Sequence, residues 1–557
     1  MSQELTVRHF RSIVLWPLQL MPVRPGEQVQ RHWESLDACS GDSTWQPITD
    51  EFGGDPASFH ERHYKEFVTF LPYVQRILYG AAAGQEAATT RKSRSLHVYR
   101  RDDLQRVRVT LRHGEQPRTL MVDRVLLCFF LDADIAVMAF EMHTDDLPLR
   151  AVQDILLRFG RAYPGFWDSC GDGGNCPQQV EWLGADGTVL ARSDFGAREH
   201  YLAFAAQHRT PRIAAHWEFL LRPLALECPG ETAGLRYRQL EFHRMPQMAY
   251  LGLDDPAQLT RADFVRLGLA VGPGEPDELP YSEAALADFE KEYCDDRFWG
   301  RPGARVPADT RILTTRVVMA FVGCSRDKFY SGRETGLLSQ FRRQYFLMFL
   351  MAHFQNAALV SMADELAVAM DHLTVGDTES VRRFKRTIRQ MVEVFLRFTH
   401  RYAFTDMSNQ MIAHDVFIRL RRVLGNESLY QQVRREVMDM GAYLDSDSAR
   451  RQANTVLRLT VVTVFGLVGT VATGFLGMNL LDEGDSSLAR RTLILAATSL
   501  GALLLTAFGI VRSKQLADFL DALSDERVHW RAKWTILRNA LLPRRHVSDR
   551  RSRGRRP

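Results

Sequence analysis

Apolar positions along the chain change period twice. Over residues 1–325, short runs rich in Val, Ile, Leu and Phe are interrupted by stretches of helical spacing. Residues 12–20, 95–101, 106–112, 124–131 and 135–142 read as strands, the last two as a hairpin turned at Asp132-Ala133-Asp134. Residues 180–193 read as a second hairpin, turned at Ala185-Asp186-Gly187, and residues 235–251 and 311–322 contain strand. Helical spacing predicts helices over 59–79, with Phe67, Phe70, Val74 and Ile77 on one face, and over 149–163 and 199–221. Strands broken up by helices predict an α/β or α+β domain.

After Cys324 the period becomes helical throughout. Residues 335–370 are dense in Leu, Phe, Met and Ala. The run 346–352 is apolar enough to raise a membrane span, but it is short and ends at His353, Gln355 and Asn356. A buried helix in a helical region over 326–425 fits better. Residues 377–404 and 412–424 continue that region. Gly425-Asn426 is a break, with Asn426 placed to cap the next helix. Leu429, Val433, Val437, Met440 and Leu444 then recur at spacings of three and four, and no Gly or Pro follows until Gly466. One stalk helix is predicted over about 426–478, on the order of 75 Å at 1.5 Å per residue.

The end of that helix is apolar on every face. Residues 459–476 carry no charge, and a second uncharged run covers 492–511. Each is close to the roughly 20 residues an α-helix needs to cross a bilayer, so the pair predicts a transmembrane hairpin: a first span over about 456–478, a loop over 479–491 and a second span over 492–511. Arg450, Arg451 and Arg458 precede the first span; Arg512 and Lys514 follow the second, in a tail (512–557) that holds seven further arginines after residue 543. The bias of Lys and Arg puts both ends of the chain in the cytosol and the loop outside. The basic tail suits anionic lipid. An apolar run at 13–23 is broken by Pro17 and Pro22 and lacks a cleavage site, so it reads as a strand rather than a secretory signal.

A formal net charge of +4 over 557 residues gives no nucleic-acid signature. Seven cysteines, an odd number, form no paired framework; Cys170 and Cys176 flank a loop with no partner pair at zinc spacing. The chain lacks Gly-x-Gly-x-x-Gly, a P-loop and Gly-x-Ser-x-Gly, and His60-Glu61-Arg62-His63 has the wrong spacing for a helical zinc site. Glu141, Asp145 and Asp146 around His143 read as a solvated strand end. No catalytic residues, resident metal or cofactor are expected, so an enzyme is not.

The first span carries a specific string: Leu-Thr-x-x-Thr-x-Phe over 459–465, then Thr-Gly-Phe-Leu-Gly-Met-Asn over 473–479, followed by an acidic loop. From about residue 429 to 514 the chain resembles the CorA family of divalent-cation channels and transporters, whose hallmark is Gly-Met-Asn at the end of the first of two C-terminal spans. Leu476, Val468 and Ala453 stand where that family often has an aromatic, a proline and an asparagine.

The resemblance implies a homo-oligomer, a pentamer, in the cell (inner or plasma) membrane, carrying Mg²⁺. It implies a selectivity ring of Gly477, Met478 and Asn479, with Asn479 contacting the ion, and an ion path along one face of the first span. By spacing, that face takes in Val456, Leu459, Thr463, Leu467, Thr470 and Gly474. Asp482, Glu483 and Asp485 would concentrate cations outside. Asp439, Asp445 and Asp447, between neighbouring subunits, would hold a regulatory cation that closes the channel. The alternatives are a related Zn²⁺, Co²⁺ or Ni²⁺ transporter, and a membrane-anchored sensor or scaffold without transport.

The charge bias predicts topology directly. In a background with the native cysteines removed, a cysteine placed at Ser486 should react with an impermeant thiol reagent on intact cells. A cysteine at Ser548 should not; labelling there instead would reverse the orientation.

Overall fold

The computed structural model describes residues 4–24, 30–38, 44–48, 61–80, 94–228, 234–240, 244–275, 279–300, 309–374, 377–477, 487–490, 492–494, 496–498, 500–501, 503–504 and 508. The chain divides into two units, Met1–Met438 and Asp439–Pro557.

The first unit is built on a mixed sheet whose described strands number fourteen. Its centre is the strand Thr6–Leu20 (β1), paired antiparallel with Ile135–Pro148 on one side and with Gln247–Leu253 on the other. From Ser12 to Leu20 every residue of β1 is buried, as a strand covered on both faces requires. Pro17 fits here because of where β1 changes partner. Pairing with Gln247–Leu253 stops at Val14, and pairing with Arg236–Gln239 begins at Leu18. The missing N–H falls in the gap between them.

Arg118–Phe130 (β2) and Ile135–Pro148 (β3) form the hairpin expected at Asp132-Ala133-Asp134, where Asp132 takes φ 63°. The turn at Ala185–Gly187 is also present, with Gly187 at φ 84°. Three expected elements prove to be pairs. Residues 59–79 hold two helices, Glu61–Thr69 and Pro72–Tyr79 (α1), because a residue before proline is steered out of the helical region, and Leu71 takes ψ 149°. Residues 199–221 split into Arg198–His208 and Ala215–Leu221, and residues 311–322 into the hairpin strands Asp309–Thr314 and Val318–Cys324.

One face of the sheet packs an aromatic cluster in which Trp16, Phe140, Phe159 and Trp182 surround Trp217 at centroid distances of 5.6–6.4 Å. The other face receives the helix Phe346–Asp371 (α2), whose Phe354 stacks on Phe130 of β2 at 3.6 Å. Among the described residues, Leu337–Asp371 is the stretch long and apolar enough to cross a membrane, yet 83% of its apolar window is buried inside the chain. It is a core helix. The polar residues that end its apolar run tie it to later segments of the helical layer. Gln355 donates to the carbonyls of Tyr402 (2.6 Å) and Phe404 (3.1 Å), and Asn356 donates to Asn426 Oδ1 at 2.9 Å. Burial pushes the His353 imidazole down to about 3, so it is neutral in the core.

The group around His143 is not a solvated strand end. Glu141 is fully buried, with Arg11 Nη1 at 3.2 Å, Arg342 Nε at 2.6 Å and Arg124 Nε at 2.5 Å. Arg11 and His143 also engage Asp123, each at 2.6 Å. Burial works against the Asp123 carboxylate, but the His143 hydrogen bond and the Arg11 charge outweigh it and hold it below the usual range. Only Asp145 and Asp146, further along β3, are exposed.

Thr378–Arg401 (α3) and Met411–Leu424 (α4) complete the helical layer. Gly425 takes φ 71° and ends α4, and Asn426–Gly477 (α5) begins at once. Asn426 is no cap: its side chain is buried and donates to the carbonyl of Ala352 at 2.9 Å. Within the first unit α5 buries Val433 and Val437, and Tyr430 stacks on Phe395 of α3 at 5.5 Å.

Removing one partner of a buried ion cluster strands the rest. Glu141→Ala should lower the free energy of unfolding by about 3–5 kcal/mol, whereas Asp145→Ala on the same strand should cost at most about 1 kcal/mol. Denaturant titration of the full chain, followed by tryptophan fluorescence, checks the contrast; equal losses would mean that the buried cluster carries no special weight.

Candidate functional site

The second unit holds the last turns of α5, where the positions expected to line an ion path fall. At 3.6 residues per turn, Val456, Leu459, Thr463, Leu467, Thr470 and Gly474 fall within about 80° of arc. All six are exposed, with Val456 at 63% and Leu459 at 67%. Val464 and Val471 widen the exposed apolar surface on one side. About a quarter-turn round on the other side, Gly469 is buried and Val462, Gly466 and Thr473 are half-buried. Their spacing of four, three and four is that of a helix-packing seam, and three of the four side chains are small.

The threonines on this helix serve the backbone first. Thr460, Thr463, Thr470 and Thr473 each donate to the carbonyl four residues earlier, all at 2.9 Å. A hydroxyl bonded this way has satisfied its hydrogen and still offers oxygen lone pairs outward. Gly474 and Gly477 are open in the single chain: a Cβ added at either meets no atom within 4 Å.

Gly477 is the last residue of α5. Met478, Asn479, Asp482, Glu483 and Asp485 lie outside the described residues. So does much of the second apolar run, whose described positions (492–494, 496–498, 500–501, 503–504 and 508) are helical. There Leu493, Leu500, Leu503 and Leu504 are 59–69% exposed, while Ile494 and Thr498 are half-buried.

Asp439 and Asp445 are exposed on α5, and Asp447 belongs to the same helix. A helix turns about 100° per residue, which places the three positions on different sides of α5. A single chain therefore does not bring them together. No group of three or more His, Cys, Asp or Glu side chains among the described residues is arranged to hold a metal ion.

Two features escaped the sequence reading. One is the buried amide pair Asn356–Asn426, which fixes the start of α5 to α2. Its signal was the polar end of an otherwise apolar helix. The other is Cys176. It lies in the expected loop with exposed Cys170 but is itself buried, and burial pushes its thiol up to about 12.

The exposure pattern of α5 predicts how leucine is received. Gly469→Leu should shift the purified protein from a single peak toward aggregate in size-exclusion chromatography. Gly474→Leu should leave the wild-type peak. The reverse order would show that the seam lies on the other face.

No family model matches the chain, and no curated protein or solved structure matches it.

Proposed function

We propose that the chain is a subunit of a CorA-like membrane channel for divalent cations, most consistent with Mg²⁺ uptake. One observation carries the reading: a single helix, rooted in the core of the first unit, ends in an uncharged stretch that leaves an apolar and threonine-bearing face uncovered. A monomer in water rarely tolerates that much contiguous apolar surface. In this reading, lipid covers the second run, other copies of the chain cover part of α5, and the two uncharged runs are the membrane spans. Two helices cannot enclose a path, so copies in a ring, five by the family resemblance, supply the remaining wall.

The chemistry along the face suits a hydrated ion. Mg²⁺ gives up its water reluctantly. The path would offer it hydroxyl oxygens whose own hydrogens are already engaged by the backbone, and these can accept hydrogen bonds from its hydration shell. Neither run contains a carboxylate, histidine or cysteine, so no deep well would trap the ion. At the outer end, Gly477, Met478 and Asn479 would form the recognition ring, and Asp482, Glu483 and Asp485 would raise the cation concentration beside it. Near the cytosolic end, Leu459 and Val456 would close the path by dewetting. Asp439, Asp445 and Asp447, which diverge on one chain, could share an ion only between chains.

Flux into proteoliposomes tests the reading. Wild-type protein should carry Mg²⁺, with Zn²⁺, Co²⁺ and Ni²⁺ run in parallel to rank the alternatives. Asn479→Ala should lose most of the flux while the oligomer survives in light scattering. Absence of flux for all four ions in intact oligomer would favour the anchored sensor or scaffold; wild-type flux in the variant would remove Asn479 from the path.

A further inference from the structure

A cavity in the first unit has no part in the proposed ion path. It measures about 560 Å³ and lies between α1, the start of the strand Leu96–Arg101, and the last turns of α3. Its walls are cationic: Arg76 comes from α1, and Arg397, His400 and Arg401 come from α3. The spacing explains the arrangement. Residues 397, 400 and 401 recur at three and four, so they share one face of α3, and that face looks across at Arg76.

The basic groups are not simply paired off. Asp132, in the β2–β3 turn, pairs with both Arg397 (3.4 Å) and Arg401, and Glu393 pairs with Arg397 at 2.5 Å. Among the described residues, the side chains of Arg76 and His400 have no hydrogen-bond or ion-pair partner. Three guanidiniums thus face two carboxylates, which leaves one positive charge in the lining. Asp132 is nearly buried, its side chain 8% exposed. It grips two guanidiniums and leaves most of their five N–H donors unused, so the forks are oriented before a ligand arrives.

Apart from Ser95, the remaining wall is largely apolar. Leu396 is 49% exposed at the rim, and Ile77 and Tyr73 lie beside Arg76. The Tyr73 hydroxyl is already spent on the carbonyl of Asp406, so the ring presents its apolar body. A volume near 560 Å³ is in the usual range of about 300–1,000 Å³ for small-molecule sites. It is far larger than a bare inorganic anion needs.

We infer that this cavity binds an organic phosphate, a nucleotide-sized phosphomonoester whose phosphate is held by Arg76, Arg401 and His400 and whose apolar part lies against Tyr73, Ile77 and Leu396. Guanidinium forks match the geometry of phosphate oxygens and form the stronger, charge-assisted class of hydrogen bond. Such a site does not depend on ion transport.

Isothermal titration of the full chain in detergent, with adenosine monophosphate and inorganic phosphate as probes, tests it. The monophosphate should bind saturably, and inorganic phosphate should bind at least tenfold more weakly. Arg76→Ala should weaken the monophosphate by about 10–100-fold, the loss of one or more charged hydrogen bonds. Arg76→Lys, which keeps the charge without the fork, should fall between. Arg383→Ala, on an exposed position of the same helix α3 some turns away, should bind as wild type does. Circular dichroism verifies that each variant is folded. The site is overturned if the monophosphate shows no saturable binding at millimolar concentration, or if Arg76→Ala binds it as tightly as wild type. The organic part of the assignment is overturned if inorganic phosphate binds equally well.

Discussion

A carboxylate cannot be buried alone, and the first unit is arranged around one that is not. Glu141 sits in the middle of the sheet with no exposure of its own. Its countercharges come from β1 through Arg11, from β2 through Arg124, and from the turn leading into α2 through Arg342. The attraction between such charges in a low-dielectric interior compensates for the water they lose only when the geometry is held. Holding it fixes three strands and a helix relative to one another. The Arg124 guanidinium also lies 4.3 Å from the Phe346 ring centroid and donates to the carbonyl of Arg342, so the side chain that pairs with Glu141 also holds the helix in two ways.

From that point the order passes outward by short polar ties inside apolar packing. α2 is held on the sheet by Phe354 against Phe130, and by Gln19 donating to Glu365 at 3.2 Å. Gln355 and Asn356 carry the order to the end of α3 and to the first residue of α5. A buried amide with its partners in place specifies position better than an apolar contact, because a slip leaves a donor stranded. The helix proposed to line the ion path thus starts from a defined place in the protein core.

Local features were legible in the sequence where one local force decides them. The Asp132–Asp134 and Ala185–Gly187 turns were readable because only a few residue types accept their backbone angles. The helix from Asn426 was readable because neither Gly nor Pro follows its apolar stripe before Gly466, inside the first uncharged run. The break before Pro72 was missed although its cause is equally local; the apolar spacing of Phe70, Val74 and Ile77 continued across it and masked it. Glu141 was misread for a different reason. Two of its partners lie 130 and 201 residues away, and nothing near it in the chain distinguishes it from an exposed strand-end acid. Which residues share a face of α5 follows from spacing alone. The cavity between Arg76 and His400 does not, since its halves are separated by more than 300 residues and nothing in the chain ties the basic face of α3 to Arg76.

The turn that delivers Arg342 is not α-helical. Phe341–Tyr345 is a π-turn between Leu337–Gln340 and α2. A π-turn is in effect an α-helix carrying one surplus residue, a geometry that isolated helices seldom adopt. Deleting that residue would restore regular backbone bonding and swing everything upstream of it by about 100°, taking Arg342 off Glu141. Backbone hydrogen bonding and charge therefore pull this helix toward different registers, and the register observed is the one the charge requires.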